Sequence, residues 1–397
     1  MARILIPTHP GDVHAVAVAL ALEARGHEAV EWFGSDFPTL QSASIDLRGT
    51  VTGWEIAGPG IAAGPPFDTV WLRRPTPAVL PSGLHPADRP VARRECHDFL
   101  SGLYHLVAPG AFWVNPLASR PRAELKAVQL QEAARAGLTV PPTLLSNDPA
   151  RIRRFLEEHR GRAVYKPFYP AQWDTEDRVA VLFTTDVETE DLPDDETLRV
   201  TPGIFQAKVD KAHELRVTVM GAHVAAARLL SQEVEAARDD WRAAGAQIRV
   251  EPDRLPEKVE RACLRLMENL GILFGAFDFI VTPEGGYVFL EVNPAGQFLW
   301  VEESNPDIPM LAPFVDFLLA RRNDFRWTPA PDAVRYRDFV DAAAQRIADA
   351  EPLHVAPADS FVTRDESIGR EEPAQAVEQH EDEEGEVAHG DSEDGKA

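Results

Sequence analysis

Two carboxylates and a carboxamide near residue 290 carry the strongest chemical signal in this chain. The segment reads Phe277-Asp278-Phe279-Ile280-Val281, then a turn over Thr282-Pro283-Glu284-Gly285, then Tyr287-Val288-Phe289-Leu290-Glu291-Val292-Asn293. Side chains two apart on a strand share a face, so Glu291 and Asn293 point the same way. A turn taking up about residues 282–287 sets Asp278 opposite Glu291, whereas a register shifted by one turns it to the other face. Three oxygen donors on one sheet face suit a hard cation. Magnesium takes one or two carboxylates and completes its shell with water and phosphate oxygens. The same pattern also fits a partly solvated strand face with Glu291 paired to Lys or Arg. Without a counter-charge, carboxylates among Phe, Val, Ile and Leu repel each other and are costly to desolvate.

Two lysines favour the metal. Lys166 lies in Val164-Tyr165-Lys166-Pro167-Phe168, where apolar neighbours demand an anionic partner for it. Lys126 lies on the helix that precedes that strand. Together with the downstream donors they fit a nucleotide site in which lysines meet phosphates as point charges. The chain contains no GxxxxGK[ST] and no GxGxxG, so P-loop and Rossmann readings lose their main support.

The elements that must position these groups follow from periodicity and punctuation. Arg3–Pro7, Val30–Phe33 and Thr69–Leu72 read as strands. Asp12 caps a helix over Val13–Ala24 that stops at Gly26. Strand, helix, strand over about thirty residues predicts a parallel βαβ unit. Pro and Gly make residues 57–66 and 75–90 loops, and a helix falls within Ala87–Val107. Phe112–Asn115 is a strand, Pro121–Ala136 a helix closed by Gly137, and residues 149–160 a helix capped by Asp148. Ala163–Pro167 and Val179–Thr184 read as strands, residues 170–178 and 186–197 as irregular. Glu214–Met220 and His223–Leu230 flank Gly221-Ala222 as a hairpin. Helices are expected over Arg254–Leu270 and Ile308–Arg322, and the chain shows no internal repeat.

Bulk properties exclude several classes. At 397 residues the chain fits two or three packed lobes. No run of about 18 apolar residues exists, so no membrane span is expected, and the N-terminus lacks a secretory pattern. Cys96 and Cys263 are the only cysteines, which fits two thiols in a reducing cytoplasm. The net charge is −24, and residues 357–397 hold fourteen acids against three bases. That sign argues against a nucleic-acid partner. With few aromatics, this tail cannot offset its ordering entropy by burial, so it is expected to be disordered.

The order of these features resembles the ATP-grasp superfamily over roughly residues 1–325. More narrowly it resembles the microviridin-type ribosomal peptide maturases, or graspetide synthetases. The segments that carry the likeness are Trp71-Leu72-Arg73-Arg74-Pro75, Asn115-Pro116 with Lys126, Phe205-Gln206-Ala207-Lys208 with Lys211, Glu214-Leu215-Arg216-Val217, and Glu291-Val292-Asn293-Pro294-Ala295-Gly296-Gln297-Phe298 followed by Trp300 and Glu302.

The resemblance implies an α/β and α+β fold of three lobes: a parallel α/β domain over 1–115, a central lid domain over 116–202 and a catalytic domain over 203–326. An extension over 327–397 ends in the acidic tail from about 357. It implies ATP and magnesium, two ions, as cofactors. Asp278, Glu291 and Asn293 would bind the metal, and Lys126 and Lys166 the phosphates. Gln206, Ala207 and Lys208 would lie along the adenine and Glu214 at the ribose. Arg216 and Arg228 would face the γ-phosphate and acyl phosphate; for Arg228 a sheet-surface salt bridge fits as well. Arg242, in Asp240-Trp241-Arg242, lies where the family has a loop near the acceptor.

The implied reaction is activation of a peptide Asp or Glu side chain as an acyl phosphate, then its capture by a Ser/Thr hydroxyl or Lys amine. The implied partners are a ribosomally made precursor peptide, with leader and core, and a second copy of the chain. Two alternatives stay open. One is an ATP-grasp ligase with another acceptor, such as amino acids or a protein C-terminus. The other is a nucleotide-binding scaffold without turnover.

Overall fold

A computed structural model describes residues 1–356, apart from 62–63, 169–170, 176–177, 183, 239 and 243–246. The expectation about the acidic tail therefore lies outside the described residues. The chain is a mixed α/β protein with one parallel sheet and several antiparallel sheets.

The parallel sheet holds β1 (Arg3–Thr8), β2 (Glu28–Phe33), β3 (Thr69–Trp71) and β4 (Phe112–Val114), in the order β2-β1-β3-β4. Helix α1 (Val13–Ala24) makes the crossover from β1 to β2, as the βαβ pattern predicts. Its N-cap is Asp12, whose side chain accepts from the amides of His14 and Ala15 at 3.2 and 3.3 Å. Helix α2 (Arg89–Val107) leads to β4. Between β2 and β3, Ser42–Arg48 and Val51–Ala57 form an antiparallel hairpin that the sequence pattern does not announce.

The expected single helix over 121–136 is two. A short turn of helix, Arg120–Glu124, ends where Leu125 takes an extended ψ of 111°, and α3 (Lys126–Ala136) starts afresh. The break puts Lys126 at the first position of a helix. A cation there opposes the helix dipole by up to about 1 kcal/mol, which an anionic partner offsets.

The second sheet is antiparallel, with β5 (Thr143–Ser146), β6 (Ala163–Lys166), β7 (Thr185–Asp186) and β8 (Gly203–Ala207) in the order β7-β6-β8-β5. Helix α4 (Pro149–Glu158), capped by Asp148, covers it. Ile152, Leu156, Ala163, Leu198 and Phe205 make its small core. Residues 171–175 pair with 178–182, so the stretch expected to be irregular contains a strand.

The third sheet carries the carboxylates. Strands β9 (His213–Met220), β10 (His223–Leu229), β11 (Val250–Asp253), β12 (Phe274–Val281) and β13 (Tyr287–Asn293) lie in the order β11-β10-β9-β12-β13. Helix α5 (Glu257–Leu270) packs on one face through Ala262, Cys263, Leu266 and Met267, against Leu215, Val217, Phe277, Phe279 and Phe289. Its C-cap, Gly271, has φ 70°, a conformation that disfavours a β-carbon. Beyond the sheet come α6 (Leu311–Ala320) and α7 (Val340–Ala350). Helix α7 lies on α1, and Arg346 binds Glu23 at 3.0 Å and Glu31 at 2.7 Å. Among the described residues no helix is long and apolar enough to cross a membrane.

One apolar cluster joins the first and third sheets. Ile4, Ile6 and Trp71 share it with Phe274, Phe298 and Phe314. Asn115 spans the same junction: its amide donates to the carbonyls of Phe274 and Pro294, and its oxygen accepts from the amides of Leu273 and Phe274. The Arg73–Asp12 ion pair, 3.1 Å long with both side chains 1 % exposed, lies at the edge of the first sheet. Asp12→Ala would leave a buried guanidinium without its carboxylate and a helix without its cap. We expect a loss of about 3 kcal/mol or more in denaturant unfolding. Arg73 and Arg74 outweigh burial and hold the Asp12 carboxyl well below the usual range. Its contribution is therefore complete at neutral pH and lost only as pH falls below about 4.

Candidate active site

The hairpin places Asp278 opposite Glu291, by a route the sequence did not reveal. Val281 pairs with Tyr287, so the turn is a residue shorter than expected. A regular ladder from there would set Leu290 opposite Asp278. A β-bulge between Phe279 and Asp278 absorbs one residue, and Glu291 comes into register instead. Phe289 and Val292 still reach the apolar core on the far face.

Basic side chains ring the pair. Arg216 Nη1 lies 2.9 Å from Asp278 Oδ1, and its Nη2 donates to the Gln297 carbonyl at 2.7 Å. This holds the loop after Asn293 against the site. Lys126 Nζ donates to Glu291 Oε2, so the anion that offsets its place at a helix N-terminus is Glu291. Arg242 Nη2 lies 3.1 Å from Glu291 Oε1 and 3.5 Å from Asp278 Oδ2. Lys166 Nζ donates to Gln206 Oε1 at 2.9 Å, and the Gln206 amide donates to Thr143 Oγ1. Burial lowers the Lys166 pKa, with partial compensation from Glu291. Burial opposes the charge on Glu291 too, but Lys126 and Arg242 outweigh it and hold that carboxyl well below its usual range. Glu214 behaves oppositely: burial raises its pKa although Lys211 Nζ lies 2.8 Å away.

Of the residues singled out from sequence, Asp278, Glu291, Lys126, Lys166, Arg216 and Gln206 converge, with Arg242 over them. Glu214 lies on the same face of β9 as Arg216, two residues away. Asn293 follows Glu291 on its face, and its Oδ1 accepts from the Ala295 amide at 2.9 Å. A carboxamide oxygen has a second lone pair, so it keeps one for another partner. Ala207 and Lys208 continue from β8, but their amides already donate to the carbonyls of Pro142 and Arg162. Only their carbonyls and side chains remain for a base, and the Lys208 side chain turns to Asp186.

Arg228 is not part of the cluster. It pairs with Leu215 and therefore lies on the opposite sheet face from Arg216. Its Nε binds Asp253 Oδ2 at 2.9 Å. The expectation that Arg228 faces the γ-phosphate is corrected: the salt bridge is what forms.

Other contributors were missed. Buried Asp240 accepts from the backbone amide and Nη1 of Arg242 and aims that guanidinium. Trp241 stacks on Trp300 with ring centres 4.8 Å apart, which anchors the same loop. Gln129 bonds the amide and carbonyl of Val292 and fixes the end of β13. It lies three residues after Lys126, on the same face of α3, a spacing that could have revealed it. Glu302 turns out to be an internal cap. Its carboxylate accepts from the amides of Met310, Leu311 and Tyr336. Glu302→Ala would strand three buried amides, so we expect thermal unfolding to fall by several degrees.

The donor set fits magnesium. It is all oxygen, with two carboxylates in register and a carboxamide on the same face. Asp278 Oδ2 is buried and has no hydrogen-bond partner. Among the described residues no group of three or more His, Cys, Asp and Glu is arranged to hold a metal.

Comparison with solved structures places this arrangement. A RiPP-associated ATP-grasp ligase from Chryseobacterium gregarium, in complex with ADP and a leader and core peptide, is 28% identical with a TM-score of 0.73 and covers 83% of this chain and 100% of its own. Macrocyclase MdnC from Microcystis aeruginosa, bound with precursor peptide MdnA, is 30% identical with a TM-score of 0.70, over 80% of this chain and 99% of its own. Macrocyclase MdnB from the same organism is 32% identical with a TM-score of 0.67, over the same shares. The chain belongs to the graspetide synthetases of the ATP-grasp superfamily. It is an ATP-grasp ligase by that membership. No family model and no curated protein matches it. In this graspetide synthetase Arg73 ties the first sheet to the loop after Asn293, with its Nη1 donating to the carbonyls of Ala295 and Gly296.

Proposed function

We propose that this ligase activates an Asp or Glu side chain of a ribosomally made precursor peptide and joins it to a Ser or Thr hydroxyl or a Lys amine, closing a macrocyclic ester or amide. The observation that carries the reading is the in-register Asp278–Glu291 pair ringed by Lys126, Lys166, Arg216 and Arg242 in a graspetide synthetase chain. ATP and magnesium are its cofactors.

A carboxylate resists nucleophilic attack until an oxygen becomes a leaving group. Transfer of the γ-phosphoryl group from ATP to that oxygen gives an acyl phosphate and ADP. The hydroxyl or amine then attacks the carbonyl carbon, loses its proton, and expels phosphate. Little covalent work falls to the protein, which must align groups and stabilise charge. Asp278, Glu291 and Asn293 would hold magnesium, which supplies positive charge to the phosphates when bound. With the carboxylates so occupied, Lys126 and Arg242 become available to anionic oxygens of the substrates. Lys166 and Arg216 face the transferring group, and Gln206 keeps Lys166 in place.

The finer architecture follows the same reading. Residues 1–115, 116–202 and 203–326 act as three lobes, and the central one closes over ATP to keep water from the acyl phosphate. The enzyme works in the cytoplasm as a homodimer.

The test is incubation of the protein with ATP, magnesium and the precursor peptide encoded beside it. Each ring costs one water, so the peptide mass should fall by multiples of 18 Da, with one ADP per ring. ADP release with free amino acids and none with peptide would transfer the chain to a ligase of another acceptor.

A further inference from the structure

The parallel sheet reverses its strand order between β1 and β3. Chain and helix run from β1 to β2 on one side, and β3 lies on the other. Ligands of open parallel sheets sit outside the carboxyl ends of the strands at such a point. Here those ends carry an unusual set. Thr8 ends β1 and His9-Pro10-Gly11-Asp12 follows it, and Leu72-Arg73-Arg74-Pro75 follows β3. The amides of Arg73 and Arg74 both donate to the Pro7 carbonyl at 3.2 Å, which pins the two ends together.

The polar groups at this edge do not balance. Asp12 is occupied by Arg73, by Thr8 Oγ1 and by the amides of α1. Arg74 is half-buried and has no ion pair or side-chain hydrogen bond among the described residues. His9 is 4 % exposed and His14 2 %, yet His9 Nε2 and His14 Nδ1 have no partner. Burial lowers both imidazole pKa values, and Arg73 and Arg74 lower them further against the opposing pull of Asp12. Both rings are therefore neutral at pH 7, and each carries one N–H donor. A buried polar nitrogen without a partner costs free energy that a ligand would recover. Arg216 also acts on His14, and the His14 ring meets Phe298 edge-on at 5.4 Å. This edge thus adjoins the loop Asn293–Phe298 that borders the carboxylate pair.

We propose that Arg74, with His9 and His14, forms a carboxylate subsite that holds an acidic side chain of the peptide substrate next to the one being activated. One guanidinium fork and neutral N–H donors match a singly charged planar anion better than a phosphate of higher charge. The subsite rests on the peptide-ligase reading and specifies which substrate feature it selects.

The test is a binding cycle without nucleotide, read by calorimetry on the full chain. The precursor peptide is compared with variants in which each Asp or Glu is replaced singly by its amide. One replacement should weaken binding to the wild type by about tenfold or more. Arg74→Ala should lose the same factor and become indifferent to that replacement, while Arg74→Lys retains part of it. The KM for ATP should not move. Unchanged peptide affinity in Arg74→Ala, or equal losses for every amide variant in both proteins, would overturn the subsite. A raised KM for ATP in Arg74→Ala would assign it to phosphate instead and also overturn it. Failure of the wild type to release ADP with any peptide would sink the ligase reading itself, a separate outcome from the binding cycle.

Discussion

Asp278→Asn and Glu291→Gln should each reduce magnesium-dependent ADP formation by about 10³-fold while the protein stays folded. Both replacements keep size and remove one negative charge. Glu291→Gln gives up the attraction of Lys126 and Arg242 that holds this carboxyl well below its usual range, so it should cost some stability, but in both variants the amide oxygen still accepts from the basic neighbours and the protein should stay folded. Arg216 keeps its bond to the Gln297 carbonyl, and Lys126 and Arg242 are partly exposed. The chemical effect should be large because the two oxygen sets act together on one charge cluster. Raising magnesium should recover part of the rate in Glu291→Gln, since a weakened ligand shell is filled by mass action. Full activity in either variant would show that the pair is a solvated strand face held by salt bridges, the alternative the bare pattern allows.

Lys166→Met should separate function from stability. The wild-type lysine is half-buried, and burial lowers its pKa. A lysine whose folded pKa lies below its unfolded value costs stability at neutral pH, and the cost fades as pH rises through the folded value. Met fills the same stem volume without the charge. The variant should unfold at a temperature equal to or above that of the wild type near pH 7, and the gap should close at alkaline pH. ADP formation should fall by about 10²- to 10³-fold, because a charge aimed at the transferring phosphoryl group is gone. Lower stability together with full activity would make Lys166 a structural residue. Such an opposition is common where a group is kept for catalysis at the expense of packing.

Much of the site was legible because strand parity and charge bear directly on chemistry. Glu291 and Asn293 share a face by spacing alone, and the apolar setting of Lys166 asked for an anion. Parity also bore on Arg228. The two-residue turn at Gly221-Ala222 pairs Arg216 with Ala227, so Arg228 must face the other way. The register of Asp278 was less accessible, since nothing local in Leu290 marks it as the bulged residue. Leu125 likewise carries no breaker signal, although it ends one helix and starts another. Helix α7 has a modest pattern of its own and is held by Arg346 reaching Glu23 and Glu31, contacts more than 300 residues away in sequence. The aim of Arg242 depends on Asp240 and on the Trp241–Trp300 stack, which join segments about sixty residues apart. Long-range partners of this kind are set by tertiary packing, which periodicity does not record.

The most direct test labels the oxygen that the reaction must move. The precursor peptide is prepared with ¹⁸O in its side-chain carboxylates and treated with ATP, magnesium and the enzyme, and the released phosphate is weighed by mass spectrometry. Activation as an acyl phosphate leaves one carboxylate oxygen on phosphorus when the nucleophile expels it. The account predicts one ¹⁸O in phosphate for each water lost from the peptide, and none with Asp278→Asn. Ring formation with unlabelled phosphate, or with AMP in place of ADP, would contradict it.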